Sequence, residues 1–118
     1  MFVRNLSIQL KPNSLTNFTT HFVKEIIPSL HKQKGFQNEL IFGEPGTDSV
    51  TAISFWDTKE NADLYAASVY PEMLKKISQF LDGTPIVHPA ELIYSTFSQI
   101  ATAAAAATGA AEAKPFAA

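Results

Sequence analysis

The chain has 118 residues, 46% hydrophobic, 17% charged and 11% aromatic, with a formal charge of −2 and no cysteine. That is the length of one domain, too rich in aromatic and branched side chains to stay disordered and too acidic to have nucleic acid as its main partner. The missing cysteines exclude a disulfide scaffold, a thiolate metal site and a cysteine nucleophile. No apolar run reaches the roughly 18 residues of a membrane span, and Met1-Phe2-Val3-Arg4-Asn5 opens no signal peptide. The expectation is a cytoplasmic protein without a membrane partner.

Residues 2–10 alternate with a period of two. Phe2, Leu6, Ile8 and Leu10 share one parity, and Val3, Asn5, Ser7 and Gln9 the other, as in a strand with one apolar face. Lys11-Pro12-Asn13 breaks the pattern. Ser14 offers a hydroxyl acceptor for a helix N-cap. Leu15, Phe18, Phe22, Ile26 and Leu30 then recur every three or four residues as one apolar stripe, with His21, Lys24 and Glu25 off it. Pro28 lacks an N–H and clashes one turn back, which predicts a kink or a restart. Lys32 and Lys34 suit a helix C-terminus, and Gly35 suits its C-cap.

Residues 36–43 form the second strand and 49–56 the third. Gly43-Glu44-Pro45-Gly46-Thr47-Asp48 between them has turn chemistry, so the two pair as an antiparallel hairpin. In the third strand Val50, Ala52, Ser54 and Trp56 share one parity, and Thr51, Ile53 and Phe55 the other. Asp57-Thr58-Lys59-Glu60 reads as a capping box with Asp57 at the N-cap, opening a helix through about Val69. Tyr70-Pro71 interrupts it. Proline is best placed in a first turn, so a second helical piece spans 71–81, with Met73, Leu74, Ile77, Phe80 and Leu81 as its apolar face. The last strand lies within 85–98, with 90–97 its better-formed part. Pro89 makes it an edge strand or a bulged one. Residues 101–118 hold 11 alanines. This tail is helical by propensity but too short to hold alone, so it is either frayed or docked on a neighbouring surface.

The order β-α-β-β-α-β over residues 1–100 predicts an α+β sandwich of the ferredoxin-like kind. Its four-stranded antiparallel sheet carries both helices on one face. The other face needs a cover, because both parities of the third strand are too apolar for water. A second copy of the chain is the natural cover. The expectation is a homodimer packed sheet on sheet, with a cavity between the sheets. Arg4, the only arginine, shares parity with Phe2, Leu6 and Ile8. It is expected to point into the inter-sheet space, where it binds an anionic ligand or a carboxylate of the partner chain.

The run Ala52-Ile53-Ser54-Phe55-Trp56-Asp57-Thr58-Lys59-Glu60-Asn61-Ala62 resembles the antibiotic biosynthesis monooxygenase group of dimeric α+β barrels, in which the third strand commonly ends in Trp before a small acidic cap. Gly35-Phe36, Tyr65 and Tyr70-Pro71-Glu72-Met73-Leu74 resemble an uncharacterised branch of that group. The resemblance covers about residues 2–98 and carries fold better than chemistry. It implies that Trp56 lines a ligand cavity, stacking on a flat molecule and donating its indole N–H. The plainer reading is a large residue filling an interface.

Cofactor-independent oxygenases of this group turn polycyclic phenols into quinones. They need a polar group for the developing oxyanion and a means to deprotonate the substrate. Some place an Asn two pleats before the Trp; here that position is Ala52. Asn5 can substitute from the first strand, or simply be solvated. Haem-degrading relatives use a His on the second helical region, and 58–81 has none, so no haem is implied. No cofactor and no metal are expected: His21, His31 and His88 form no ligand set, and His21 with Glu25 is only two groups. His88 is an acid–base candidate at the cavity mouth. Tyr65, Tyr70 and Tyr94 are candidate hydroxyl donors. The resulting expectation is a cofactor-independent monooxygenase acting on a small aromatic or phenolic molecule in a cavity between helices and sheet near Trp56. The alternatives are a non-catalytic small-ligand or stress-associated module of the same fold, and a dimer whose interior is filled by its own side chains.

Overall fold

The sheet has the strand order β2-β3-β1-β4 and every neighbouring pair is antiparallel. Its strands are β1 (Phe2–Gln9), β2 (Phe36–Gly43), β3 (Ser49–Trp56) and β4 (Ile86–Glu91). The structure is a computed structural model that describes residues 1–97; the alanine-rich tail expected at 101–118 lies outside the described residues. Between β1 and β2 run α1 (Leu15–His21), a π-helical turn (Phe22–Ile26) and α2 (Ile27–His31). Between β3 and β4 run α3 (Lys59–Ser68), α4 (Tyr70–Ile77) and a short 3-10 turn (Ser78–Phe80). This is the α+β, ferredoxin-like arrangement expected from the element order.

The helices pack on one sheet face, and the parity read from the sequence selects it. Phe2, Ile8, Val50, Ala52 and Trp56 join Phe18, Phe22, Ile26 and Leu30 from the first helical layer and Ala62, Tyr65, Met73 and Ile77 from the second in one core. Leu15, counted in the apolar stripe, is exposed. Val3, Phe55 and Met1 form a smaller cluster on the opposite face, with Leu40, Ile53 and Leu92 packed against it.

Pro28 acts as its chemistry requires. It cannot donate to the carbonyl of Lys24, and the chain resolves this one turn earlier: the Ile27 N–H reaches back five residues to the Phe22 carbonyl, and α2 restarts with proline in its first turn. Three local expectations need correcting. Thr58, not Asp57, caps α3; its hydroxyl accepts from the Asn61 N–H at 3.1 Å, while the Asp57 carboxylate accepts from the Asn61 side chain at 2.8 Å. Ser14 makes no side-chain cap bond. The last strand is Ile86–Glu91 rather than its later half. It runs antiparallel to β1, so its ladder runs out at the first residues of β1, where Leu92 N–H donates to the Met1 carbonyl at 2.9 Å. Pro89 sits within this strand, which is an edge of the sheet, where its missing N–H leaves no gap in a central ladder.

One irregularity decides the site. In β2 the pairing shifts between Phe36 and Asn38: Phe36 faces Trp56, but Asn38 faces Phe55 and Glu39 faces Ser54. Gln37 is the extra residue of a β-bulge. Asn38 Oδ1 accepts from the Glu39 N–H at 2.9 Å. Without the bulge, strict alternation from Phe36 would turn Glu39 to the outer face. With it, Glu39 points under the helices.

Candidate ligand cavity beneath the helices

Three polar side chains stand in one row across the sheet on its helix-covered face. Glu39 on β2 is opposite Ser54 on β3, and Ser54 is opposite Arg4 on β1. Arg4 is only 5% exposed. This corrects the expectation that it points towards a partner's sheet: its parity is that of the buried core, and its side chain lies beneath the helices of its own chain. Tyr65 from α3 and Tyr70 from α4 lie over the guanidinium, with ring centres 5.3 and 4.4 Å from its central carbon. Both contacts have cation–π geometry, which holds a desolvated guanidinium in place.

The row closes one end of a narrow, largely apolar cleft between sheet and helices, with a cavity volume of about 30 Å³. Leu6, Ile8 and Ala52 form its floor, Phe22, Ile26 and Leu30 one wall, and Met73, Leu74 and Ile77 the other. Among the described residues the Arg4 guanidinium makes no hydrogen bond and no ion pair. Glu39 Oε2 and Tyr70 Oη are buried and have no hydrogen-bond partner.

The electrostatics follow from burial. Desolvation pulls the Arg4 pKa down, opposed by the nearby tyrosines, Asp63 and Glu39; a guanidinium starts so high that it stays a cation. Burial pushes the Glu39 carboxyl up to about 8, against a smaller downward pull from Arg4. Burial likewise raises the phenols of Tyr65 and Tyr70. At neutral pH the cleft therefore holds one cation, one protonated carboxyl and two neutral phenols.

Trp56 lies one layer behind this cleft. It is 0% exposed. Its indole N–H donates to Ser54 Oγ at 2.9 Å, Tyr65 stacks on its face at 4.7 Å between ring centres, and Phe36 meets it edge-on at 5.6 Å. Its face and its donor are thus occupied by protein, and it touches the cleft through Tyr65 and Ser54. Asn5 and His88 are register partners across β1 and β4, on the sheet face turned away from the helices, so neither enters the cleft. Tyr94 follows β4 and is 51% exposed. Arg4, Tyr65 and Tyr70 are thus brought together, whereas Asn5, His88 and Tyr94 lie elsewhere. Glu39 was not anticipated, because only the bulge brings it inward. Among the described residues no three His, Asp or Glu side chains are grouped to hold a metal ion, and no helix is long and apolar enough to cross a membrane.

With this geometry in view, the fold is that of solved antibiotic biosynthesis monooxygenase structures. A Bordetella bronchiseptica protein provisionally described as such superposes with a TM-score of 0.67 at 18% identity, over 78% of this chain and 96% of that one. SnoaB, a cofactor-independent oxygenase of Streptomyces nogalater, superposes with a TM-score of 0.66 at 12% identity, over 80% and 94%. A Streptomyces coelicolor monooxygenase solved with nanaomycin D gives 0.64 at 14% identity, over 75% and 84%. At these identities the shared property is the fold. No family model matches the sequence, and no curated protein matches it.

Proposed function

We propose that the chain is a cofactor-independent monooxygenase-like protein that takes a small aromatic or phenolic molecule into the cleft beneath its helices, in front of Trp56. The observation that carries this reading is the buried, unpartnered Arg4 guanidinium at the end of an apolar cleft. Apolar walls with a few convergent polar groups are the usual make-up of a small-molecule site. A phenol whose oxygen lies against Arg4 is easier to ionise, because the cation favours the phenolate. The electron-rich ring then reduces oxygen itself, one O₂ giving one quinone and one water, and the guanidinium stabilises the oxyanion. The shared fold with SnoaB supports this reading.

Non-catalytic binding is the second reading, and two observations favour it. Ala52 on the cleft floor offers no donor, and the one carboxyl in the lining is protonated at neutral pH, so no ready base faces the substrate. The two readings separate in one experiment. Hydroxylated polycyclic phenols are titrated against Trp56 emission, which reports the cleft through the stacked Tyr65, and oxygen uptake is followed with each compound that binds. Saturable quenching with uptake supports the oxygenase; quenching without uptake supports the binding module; no saturable response overturns both.

The same reading makes the protein a cytoplasmic homodimer joined through the sheet faces that carry no helices. Leu40 and Ile53 are half-buried there, and Phe42 and Ile86 are 53% and 61% exposed.

A further inference from the structure

We infer that the cleft recognises a carboxylate: its ligand is a slender apolar acid whose carboxylate docks on the Arg4 guanidinium, with Tyr70 Oη and Glu39 Oε2 as its hydrogen-bonding neighbours. The inference rests on the second reading above, the non-catalytic binding module, and names the chemical class that the module takes. Native proteins leave few buried polar groups unsatisfied. Here Glu39 Oε2 from β2 and Tyr70 Oη from α4 are buried without a partner, and the Arg4 guanidinium from β1, which makes no ion pair among the described residues, converges with them. Such a set lacks a polar partner that the described chain does not supply.

The charge and shape of the missing partner can be read from the lining. Arg4 is the only cation in it. Asp63, the other carboxylate near enough to act on Arg4, is exposed and engaged with Lys59 at 2.7 Å, so it does not neutralise the guanidinium. A guanidinium offers donors in a fork that matches a carboxylate edge-on, and the Tyr70 hydroxyl and a protonated Glu39 add two donors of the neutral kind. One cation matches one negative charge; a phosphate would bring about two. Behind the polar row the cleft is apolar and elongated. From Arg4 through Leu6 to Ile8 the strand advances about 13 Å, and Phe22, Ile26 and Leu30 run beside it for about 12 Å. That suits a straight apolar tail better than a second polar group.

The test is calorimetric titration of the full chain at neutral pH with decanoate, with decanamide as the uncharged match, and with 4-hexylphenol. The expected result is that decanoate binds at least about tenfold more tightly than decanamide, the margin of one charge-assisted hydrogen bond. Arg4→Met should bring the two ligands to equal affinity. That variant removes a buried unpaired charge, so it should fold at least as well as the parent. Tyr70→Phe keeps the ring over Arg4 and should weaken decanoate severalfold, leaving decanamide less affected. If Arg4→Met does not fold, this second variant decides. Equal binding of acid and amide by the parent overturns the inference, and so does an acid preference that survives Arg4→Met. Saturable binding of the phenol alone overturns it while the binding-module reading stands; failure of all three ligands and of the polycyclic phenols removes both.

Discussion

A carboxyl group placed under two helices changes how the whole domain responds to pH, and Glu39 is such a group. Its folded pKa is about 8, against an ordinary 4.5, because burial penalises the anion more than Arg4 favours it. The groups facing it are the Arg4 cation and the neutral phenols of Tyr65 and Tyr70. Below pH 4.5 the group is protonated in folded and unfolded chains alike and contributes nothing. Between 4.5 and 8 the unfolded chain releases the proton and the folded chain keeps it, so stability falls as pH rises; above 8 the loss is complete. Glu39→Gln removes that slope. Urea midpoints should coincide for parent and variant near pH 4. Near pH 9 the variant should be more stable by at least about 1 kcal/mol. Parallel midpoints across the range would show that Glu39 titrates as an ordinary carboxyl. The sequence made part of this site legible. Arg4 among apolar residues of its own parity, and Tyr65 and Tyr70 on the two helical pieces after the third strand, are visible in the residue pattern. Which side of the sheet Arg4 serves is not legible, because parity shows that residues share a face but not which layer covers it. Trp56 shares its parity with Val50, Ala52 and Ser54 in the residue pattern, but its occupied donor and stacked face depend on Ser54 and Tyr65 packing that a linear pattern does not contain.

At the scale of elements, most of the fold was legible because each boundary had local chemistry: proline restarting a helix, glycine ending one, a turn-rich run between two strands. The bulge at Gln37 had none, and Glu39 was missed with it. The strand 36–43 has no clean alternation to reveal an inserted residue, and only the partner strand's register discloses it. The same stretch of chain holds the clearest single-residue constraint. Gly35 ends the first helical layer at φ +84, and its carbonyl accepts from the Asp57 N–H at 2.9 Å. A Cβ there would collide with Asp57 Oδ1 and lie 2.7 Å from the Asn61 side chain. Gly46 in the hairpin turn also has positive φ, +78, but open space around it. Gly46→Ala should therefore cost only the left-handed backbone penalty, about 1 kcal/mol. Gly35→Ala should cost at least about 2 kcal/mol, because it adds a clash that must displace the start of α3. Chemical denaturation of the two variants side by side checks this; equal losses would mean that the approach of α3 to Gly35 is not tight.

For the molecule as a whole, the sheet face without helices is the feature that the described chain leaves unfinished. Four strands of about 4.8 Å spacing and eight residues of about 3.3 Å rise present roughly 500 Å² in projection. With side-chain relief this approaches the about 800 Å² per partner of a specific interface. Val3 and Phe55 on that face are already covered by Met1 and Leu92, but Leu40, Ile53, Phe42 and Ile86 are not fully buried. An apolar patch of this extent is uncommon on a monomer. Ile53 is the sharpest probe. It lies on a central strand, opposite Asn5 on one side and Leu40 on the other, and outside the main helix-covered core. A lysine there keeps its stem on the sheet and its ammonium in water in a monomer. In a face-to-face dimer two such charges would be buried without partners and repel each other. Ile53→Lys should therefore convert a dimer to a monomer in sedimentation equilibrium, while the urea midpoint of the isolated fold falls little. The Trp56 response to cleft ligands should also persist in the monomer, since the cleft is built from helices and sheet of a single chain. A parent chain that already sediments as a monomer at millimolar concentration would remove the dimer from the proposal. A lost Trp56 response in a folded Ile53→Lys monomer would instead mean that the cleft depends on the partner.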